Sequence, residues 1–398
     1  MIIQRAYKTE IDPNNVQKTL LNKHAGTARF AWNWALDRII KKESKPNAIA
    51  LHRELNALKL TDFTWMYDVS KCAPQEALRN LQTAFGNFFK ANKSGRKAGF
   101  PKFKSRHRNK PSFKLTGTIK VEDNRIQLPR LGWLRLKEHG YLPKDADILS
   151  ATCSEHAGKW FVSVSVQEET HPTVGTGIVG IDLGIKVLAV CSDGTTFENP
   201  KALVNNQKRL KKLQKRHARQ KNGSKRREKT RKRIAKLHYR ISCIRKDAIH
   251  KATSWVAKTK RPEVVVLEDL NVVGMLKNHK LAKSISDASF HEFRFQMTYK
   301  QSWNGGSVLE ADRFYASSKT CSDCGWVNEN LKLSDREFIC LDCGSIKDRD
   351  LNASINLENY GKKKLFPQFV EENKDARREA TAVSTPDEAR IKQQICQV

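Results

Sequence analysis

The sequence predicts a multidomain α+β protein: a helical region, a β-rich region, a region of short apolar strands, and a small four-cysteine module ahead of the last helix. Three observations carry this. Along the 398 residues the hydrophobic period changes twice, from helical spacing to strand alternation and then to short runs that are apolar throughout. A basic stretch from Lys208 to Arg240 holds 17 Lys or Arg in 33 residues, with Glu228 its one acid. Four cysteines, Cys321, Cys324, Cys340 and Cys343, stand as C-x2-C-x15-C-x2-C. A chain of this length has room for roughly two to four domains.

The first dozen residues read as a strand. From about Gly26 the pattern turns helical through TARFAWNWALDRII, and a second helix is expected at Ala50 to Leu60. A third runs through CAPQEALRNLQTAFGNFFK, where Leu78, Leu81, Phe85 and Phe89 make one apolar stripe. Pro74 falls in its first turn, where a missing N–H costs little. A basic loop with Gly and Pro follows. From Pro111 to about Glu169 the pattern is β, with Trp160, Val162, Val164 and Val166 on one face of GKWFVSVSVQ. Several such runs suggest a small barrel that the first strand could complete. GIVGIDLGIKVLAVCSDG then reads as two apolar strands around a tight turn. The basic run is broken at Asn222-Gly223-Ser224, and Ile234, Leu237, Ile241, Ile244 and Ala248 form a packing seam, so two antiparallel helices fit. EVVVLEDLNV and SVLEADRFY read as further strands, and a short helix begins near Asp350. The tail from about Lys362 is charged and weakly patterned, and disorder is expected there.

Lys plus Arg, 74, outnumber Asp plus Glu, 42, for a net charge of +32. That imbalance argues for a polyanion partner, because neutralising phosphates releases counterions. No window holds 18 apolar residues, so no bilayer span is expected. The N-terminus has no signal-peptide core, and a cytoplasmic location is expected. The five scattered cysteines (Cys72, Cys153, Cys191, Cys243, Cys396) read as buried thiols in a reducing compartment. GTGIVG at 175–180 matches G-x-G-x-x-G, but its glycines precede a strand instead of opening a helix, so no dinucleotide site is implied. No P-loop occurs, and no His-x-His pair of the kind tyrosine-type transposases need.

The cysteine spacing, with Gly325 and Gly344 after the pairs, fits a closed four-thiolate zinc site, structural because no position remains for water. Disulfides are the alternative. Asp182 lies inside an apolar strand and Glu268 ends VVVLE, and strand interiors disfavour carboxylates. Asp350 follows the cysteines in DRDLN. Singly, Asp350 could be a helix cap and Glu268 a surface strand end. Together they could converge on one point, where two Mg2+ ions roughly 4 Å apart would neutralise them and clamp a phosphodiester.

GIDLGIKVLAVCSDG, VVVLEDLNV, SISDASFHEFRFQMTYK, RFYASSKTCSDCG and CLDCGSIKDRDLNASINL, in that order, resemble the TnpB family of transposon-encoded RNA-guided DNA endonucleases, relatives of type V CRISPR effectors. The resemblance covers nearly the whole chain. It implies an RNase H-like (RuvC) nuclease domain with the zinc ribbon inserted before its last motif, together with a wedge β-barrel and a helical recognition domain. The implied boundaries are 1–22 with 93–172 for the wedge, 23–92 for recognition, 173–314 with 347–362 for the nuclease, 315–346 for the ribbon and 363–398 for the tail. By motif the catalytic acids fall on Asp182, Glu268 and Asp350. Phe290 and Lys347 stand where the family often has tryptophan and histidine.

The resemblance further implies Mg2+ and one structural Zn2+ as cofactors, a guide RNA from the transposon end, and double-stranded target DNA cleaved beside a short flanking motif. No membrane partner is expected, and a monomer is. Base pairing would read sequence, and the protein would grip backbone and shape. Lys71 and Gln75, one helical turn apart, could reach the flanking duplex. In the basic run, Arg209, Lys212, Arg216, Arg226, Arg227, Arg231 and Arg233 could line the nucleic-acid channel. A nuclease-inactive RNA-guided repressor and a transposase accessory protein acting on transposon ends remain as alternatives.

Overall fold

The strand expected at the N-terminus is β1 (Ile2–Ile11), and it leads into α1 (Asn15–Ile40) in a computed structural model that describes residues 1–173, 175–332 and 334–366. The helix begins well before Gly26. Its start is set by Asn14, whose side chain accepts from Gln17 N at 2.9 Å while Gln17 Oε1 accepts from Asn14 N at 3.0 Å, a reciprocal cap. Residues 15–22, assigned by resemblance to the wedge, are therefore helical. Then come α2 (Ala48–Leu58), a 3-10 turn (Thr64–Asp68) and α3 (Cys72–Lys93). The α3 stripe is buried at Leu78, Leu81 and Phe85, whereas Phe89 is 49% exposed against the Phe88 and Phe85 rings.

After a basic coil come β2 (Ser112–Leu115), β3 (Lys120–Val121), β4 (Arg125–Leu128), β5 (Gly132–Arg135), β6 (Asp147–His156) and β7 (Lys159–Glu169). They form a four-stranded sheet in the order β1-β7-β6-β2 and a three-stranded sheet β3-β4-β5. In place of a ladder running all the way round, the bridge Ile11–Leu136 is what joins the two sheets. Strand β1 pairs antiparallel with β7 along its whole length, from Ile2 opposite Glu169 to Ile11 opposite Trp160. Trp160, Val162, Val164 and Val166 are all buried, as their alternation predicts. Helices α1–α3 and these strands share one core, with Leu21, Leu36, Leu78, Ile126 and Val162 in the same cluster.

The rest of the chain comprises β8 (Ile178–Leu183), β9 (Val187–Cys191), β10 (Thr196–Glu198), α4 (Ala202–Arg219), α5 (Lys225–Trp255), β11 (Val264–Glu268), α6 (Val272–Met275), α7 (Ala282–Ala288), α8 (Phe290–Trp303), β12 (Ser307–Ala311), β13 (Glu337–Ile339), β14 (Ile346–Asp348) and α9 (Arg349–Leu365). Two helices stand where the basic run predicts them, separated at Asn222–Ser224 with Gly223 at φ +76°. Leu237 and Ile241 of the seam are buried. Helix α9 runs past the boundary expected at 362; the rest of the expected disordered tail, from 367, lies outside the described residues.

The chain divides into two units: 1–170 with 222–239, and 171–221 with the described residues from 240 onward. In the first, Tyr239 of α5 packs its ring on His156 and Phe161 at 4.9 and 5.7 Å, so the strands β6 and β7 supply packing for this part of the seam. The second unit is built on a five-stranded sheet, order β10-β9-β8-β11-β12. In it β11 runs parallel to both β8 and β12, while β9 is antiparallel to β8 and to β10. One face (Val179, Ile181, Val265, Leu267) packs on Ile249 and Ala252 of α5 and on Phe293 and Met297 of α8. The other (Ile178, Val264, Val266) packs on Leu357 and Tyr360 of α9. Helices on both faces explain why these strands are apolar throughout.

Candidate functional site

Asp182 and Glu268 come together through strand register. Parallel pairing sets Leu267 opposite Ile181, so the next residues, Glu268 and Asp182, stand side by side at the C-terminal ends of β11 and β8. Helix α9 brings the third carboxylate. It lies directly on the sheet because two glycines let it: a Cβ on Gly180 would collide with the Ser354 carbonyl oxygen, and one on Gly361 would sit 2.6 Å from Val266 Cγ2. The cap of α9 is Asp348, whose Oδ1 accepts from Asp350 N at 2.9 Å and Leu351 N at 3.1 Å. Capping by Asp348 frees the Asp350 carboxylate, which lies near the Gly184 turn and 3.4 Å from Arg349 Nη2.

Burial pushes the Asp182 carboxyl well above the ordinary carboxylate range, and the neighbouring Glu268 and Asp350 push it further; Arg349 pulls the other way. Glu268 is raised as well, by burial, against the Ser317 hydroxyl that donates to its Oε1. Two half-buried carboxylates strained upward beside a third make a place that a cation would relieve. Among the described residues, only the four cysteines bring three or more ligand atoms of His, Cys, Asp or Glu within 4.8 Å of one another. The carboxylates are thus close enough to repel but more widely set than a one-ion cage.

The cysteines themselves gather tightly. Cys321 Sγ lies 3.7 Å from Cys343 Sγ, and Cys324 Sγ lies 3.5 Å from Cys340 Sγ. A tetrahedron with metal–sulfur bonds of about 2.3 Å has sulfur–sulfur edges of roughly 3.8 Å, so this donor set fits such an ion. Backbone N–H groups of Trp326 and Cys343 point at Cys324 and Cys340 sulfurs at 3.5 Å. The cysteine knot is tied to α9 by two buried asparagines. Asn352 Nδ2 donates to Thr320 O at 2.7 Å and Asn352 Oδ1 accepts from Ser322 N at 3.0 Å; Asn356 Nδ2 donates to Ser317 O at 2.8 Å and Thr320 O at 2.6 Å.

Lys71 is the exposed cap residue of α3, and Gln75, half-buried, is joined to it by Gln75 N donating to Lys71 O at 3.4 Å. Beside α3 is a cleft of about 350 Å³ with Ala25, Ala28, Ala73 and Ala77 at its floor and Arg29, Lys104, Lys110 and Lys114 around it. Sequence reasoning missed this cleft because its cations come from three separate segments, α1, the basic coil and β2. Arg209, Lys212 and Arg216 are exposed along α4; on α5, Arg226 and Arg233 are exposed and Arg227 is half-buried. Arg231 is engaged by a neighbour one turn away: Glu228 accepts from its Nε at 2.7 Å and its Nη2 at 2.6 Å. Asp287, also missed, is buried under α4, accepting from Leu203 N at 2.9 Å and from Arg245 Nε at 2.6 Å.

The fold and site therefore define a mixed α/β multidomain protein with a carboxylate cluster at parallel strand ends and a four-cysteine knot. Three family profiles match it: "Probable transposase" of the OrfB_IS605 type over residues 161–279, "Cas12f1-like, TNB domain" over 290–357, and "Helix-turn-helix domain" over 1–43. In this chain the last span is one strand and one long helix. A Streptomyces pristinaespiralis protein provisionally named an RNA-guided DNA endonuclease is 34% identical over 89% of each chain. InsQ of Escherichia coli K12, named likewise, is 31% identical over 89% of this chain and 91% of its own. The chain belongs to the OrfB_IS605, or TnpB, family. Its fold is similar to the protein of a Cas12f1–sgRNA–target DNA complex, TM-score 0.55 at 14% identity, covering 90% of this chain and 99% of that one.

Proposed function

We propose that this chain is an RNA-guided endonuclease that cleaves double-stranded DNA beside a short flanking motif, using a guide RNA from a transposon end. The observation that carries the reading is the convergence of Asp182, Glu268 and Asp350, felt as mutual repulsion at Asp182. The strand order, third-second-first-fourth-fifth with the middle strand parallel to the last two, supports an RNase H-like (RuvC) domain for the second unit. Wedge and recognition parts would together make up the first unit. The relatives named above for RNA-guided endonuclease activity support the same function.

In this mechanism Asp182, Glu268 and Asp350 hold two Mg2+ ions. Bound there, the ions supply an activated water and stabilise the attacking and leaving oxygens of an in-line displacement. Asp182, held protonated more readily by burial and by both neighbouring carboxylates, would give up its proton to serve as a ligand. Glu268 is oriented by the Ser317 hydroxyl, and because Asp348 caps the helix the Asp350 carboxylate is left to the cluster, with Arg349 beside it. The four cysteines hold one structural Zn2+. Lys71 and Gln75 face the flanking duplex. The cations around the α3 cleft, with those of α4 and α5, grip phosphates without reading bases.

The test is guided cleavage with Mg2+ by the purified ribonucleoprotein and by its Asp182→Ala variant. The parent is expected to cut and the variant to bind its target without cutting. A variant that cuts as well as the parent removes the carboxylates from the mechanism. Sequencing co-purified RNA identifies guide and target together.

A further inference from the structure

Phe314 is 94% exposed, the most exposed large apolar side chain among the described residues, and it lies in the loop whose Arg313 and Ser317 bond to Asp269 and Glu268. Its place follows from register. Ala311 ends β12 directly opposite Glu268, so Phe314 lies three residues past a backbone position paired with that carboxylate. Three residues of chain span at most about 10 Å.

Its neighbours on both sides are tied down. Arg313 Nη2 pairs with Asp269 Oδ2 at 2.5 Å, and Asp269 immediately follows Glu268. Tyr315 packs on Tyr360 with ring centroids 4.9 Å apart, and its hydroxyl donates to Asn356 O at 3.1 Å. Tyr315 N donates to Asp312 O, and Ser317 N to Tyr315 O, both at 2.9 Å. Ser317 in turn donates to Glu268. The loop 312–317 is thus bonded at each flank of Phe314, and the phenyl ring is the part left outside.

We infer that Phe314 is a stacking platform for an unpaired nucleobase of the strand being cut. The inference rests on the endonuclease reading and adds a substrate contact to it. A base inside a duplex has both faces covered by its neighbours, whereas an unpaired base has a free face to lay on a ring. An aromatic ring serves every base equally, which suits a nuclease whose sequence choice is made elsewhere. With its phosphate at the carboxylates and its base on Phe314, a nucleotide is held at two points, and the scissile bond is positioned against the acid cluster.

The experiment pairs protein and substrate changes. Single-turnover cleavage is measured with the parent ribonucleoprotein, Phe314→Ala and Phe314→Trp, on intact target and on targets carrying one abasic nucleotide at successive positions around the cut. Phe314→Ala is expected to slow cleavage of intact target by roughly 5- to 150-fold, the range one base–aromatic stack is worth. Phe314→Trp should stay within a few-fold of the parent. One abasic position should slow the parent by the same factor and leave Phe314→Ala unaffected, because the pair has lost one shared interaction. Equal cleavage of intact target by parent and Phe314→Ala overturns the inference while leaving the nuclease intact. Cleavage by Asp182→Ala at the parental rate removes the acid cluster from the mechanism, and absence of guided cleavage by the parent overturns the endonuclease reading itself, whatever Phe314 does.

Discussion

Replacing Ser317 by alanine removes one hydroxyl, and the structure sets the size of the effect. Ser317 is buried and donates to Glu268 Oε1. Burial already raises the Glu268 carboxyl, and this hydrogen bond is what draws it back. A hydrogen bond to a charged group is worth about 1.5–3 kcal/mol, and one pKa unit is about 1.4 kcal/mol. Glu268 is only half-buried, so the lower figure applies: losing the bond should cost the charged carboxylate about 1.5 kcal/mol and raise its pKa further. Glu268 acts as a carboxylate, so the acid limb of the cleavage profile should move toward higher pH. At a pH well above that limb, Ser317→Ala should recover most of the parental rate at saturating Mg2+, and Ser317→Thr should resemble the parent throughout. The assay is a pH–rate series on guided target with the metal concentration varied. A uniform loss at every pH, with the acid limb unmoved, refutes the argument and makes Ser317 a packing residue.

Other outcomes follow from the same geometry. Asp182 and Glu268 are both raised, so the metal-free folded state binds protons more tightly than the unfolded chain. Its stability should therefore fall as pH rises from the ordinary carboxylate range through the raised values. Asp182→Asn should flatten that dependence and raise the metal-free Tm at neutral pH, while abolishing cleavage; calorimetry across pH checks it. Asp287→Ala strips Arg245 of a buried partner and leaves the α4 N-terminus uncapped. Breaking such a pair costs about 3–5 kcal/mol, read as a lowered Tm with weakened nucleic-acid retention.

How much of this was legible in the sequence differs by element. The apolar strands β8 and β11 and their terminal carboxylates were readable because a charge in a β-branched run needs a reason. Which aspartate of DRDLN is the cap and which is free was not settled by spacing alone, since both flank the same helix start. The structure divides the roles, with Asp348 on the backbone and Asp350 turned to the cluster. The start of α1 is marked only by the cap signature of Asn14 and Gln17, because before Gly26 the helix buries no more than Leu21, His24 and Ala25. Ala25, Ala28, Ala31 and Ala35 are all buried along it. The engagement of Arg231 by Glu228 was visible at i, i+3 and was passed over in favour of net charge. Ser317 and Asp287 were invisible, because their partners are 49 and 42 residues away in sequence and no period connects them.

The four-cysteine knot has a position that links it to the chemistry. Its entry segment, Ser317 to Ser322, is bonded to Asn352 and Asn356 of α9, and its exit strand β14 ends at Asp348, the cap of the same helix. Closing the knot thus fixes both the hydroxyl that orients Glu268 and the helix start that carries Asp350. Without the ion the 321–343 stretch becomes an open loop, and only side-chain hydrogen bonds hold its two ends to α9. Cys340→Ser, or a chelator selective for zinc over Mg2+, should therefore depress cleavage although none of the three carboxylates belongs to the four-cysteine group. Amide exchange should quicken at Ser317–Ser322 and in the first turn of α9, while β11 in the sheet centre keeps its protection. Exchange confined to the cysteine loops, with cleavage intact, would separate the knot from the acids and leave it a clamp for nucleic acid alone.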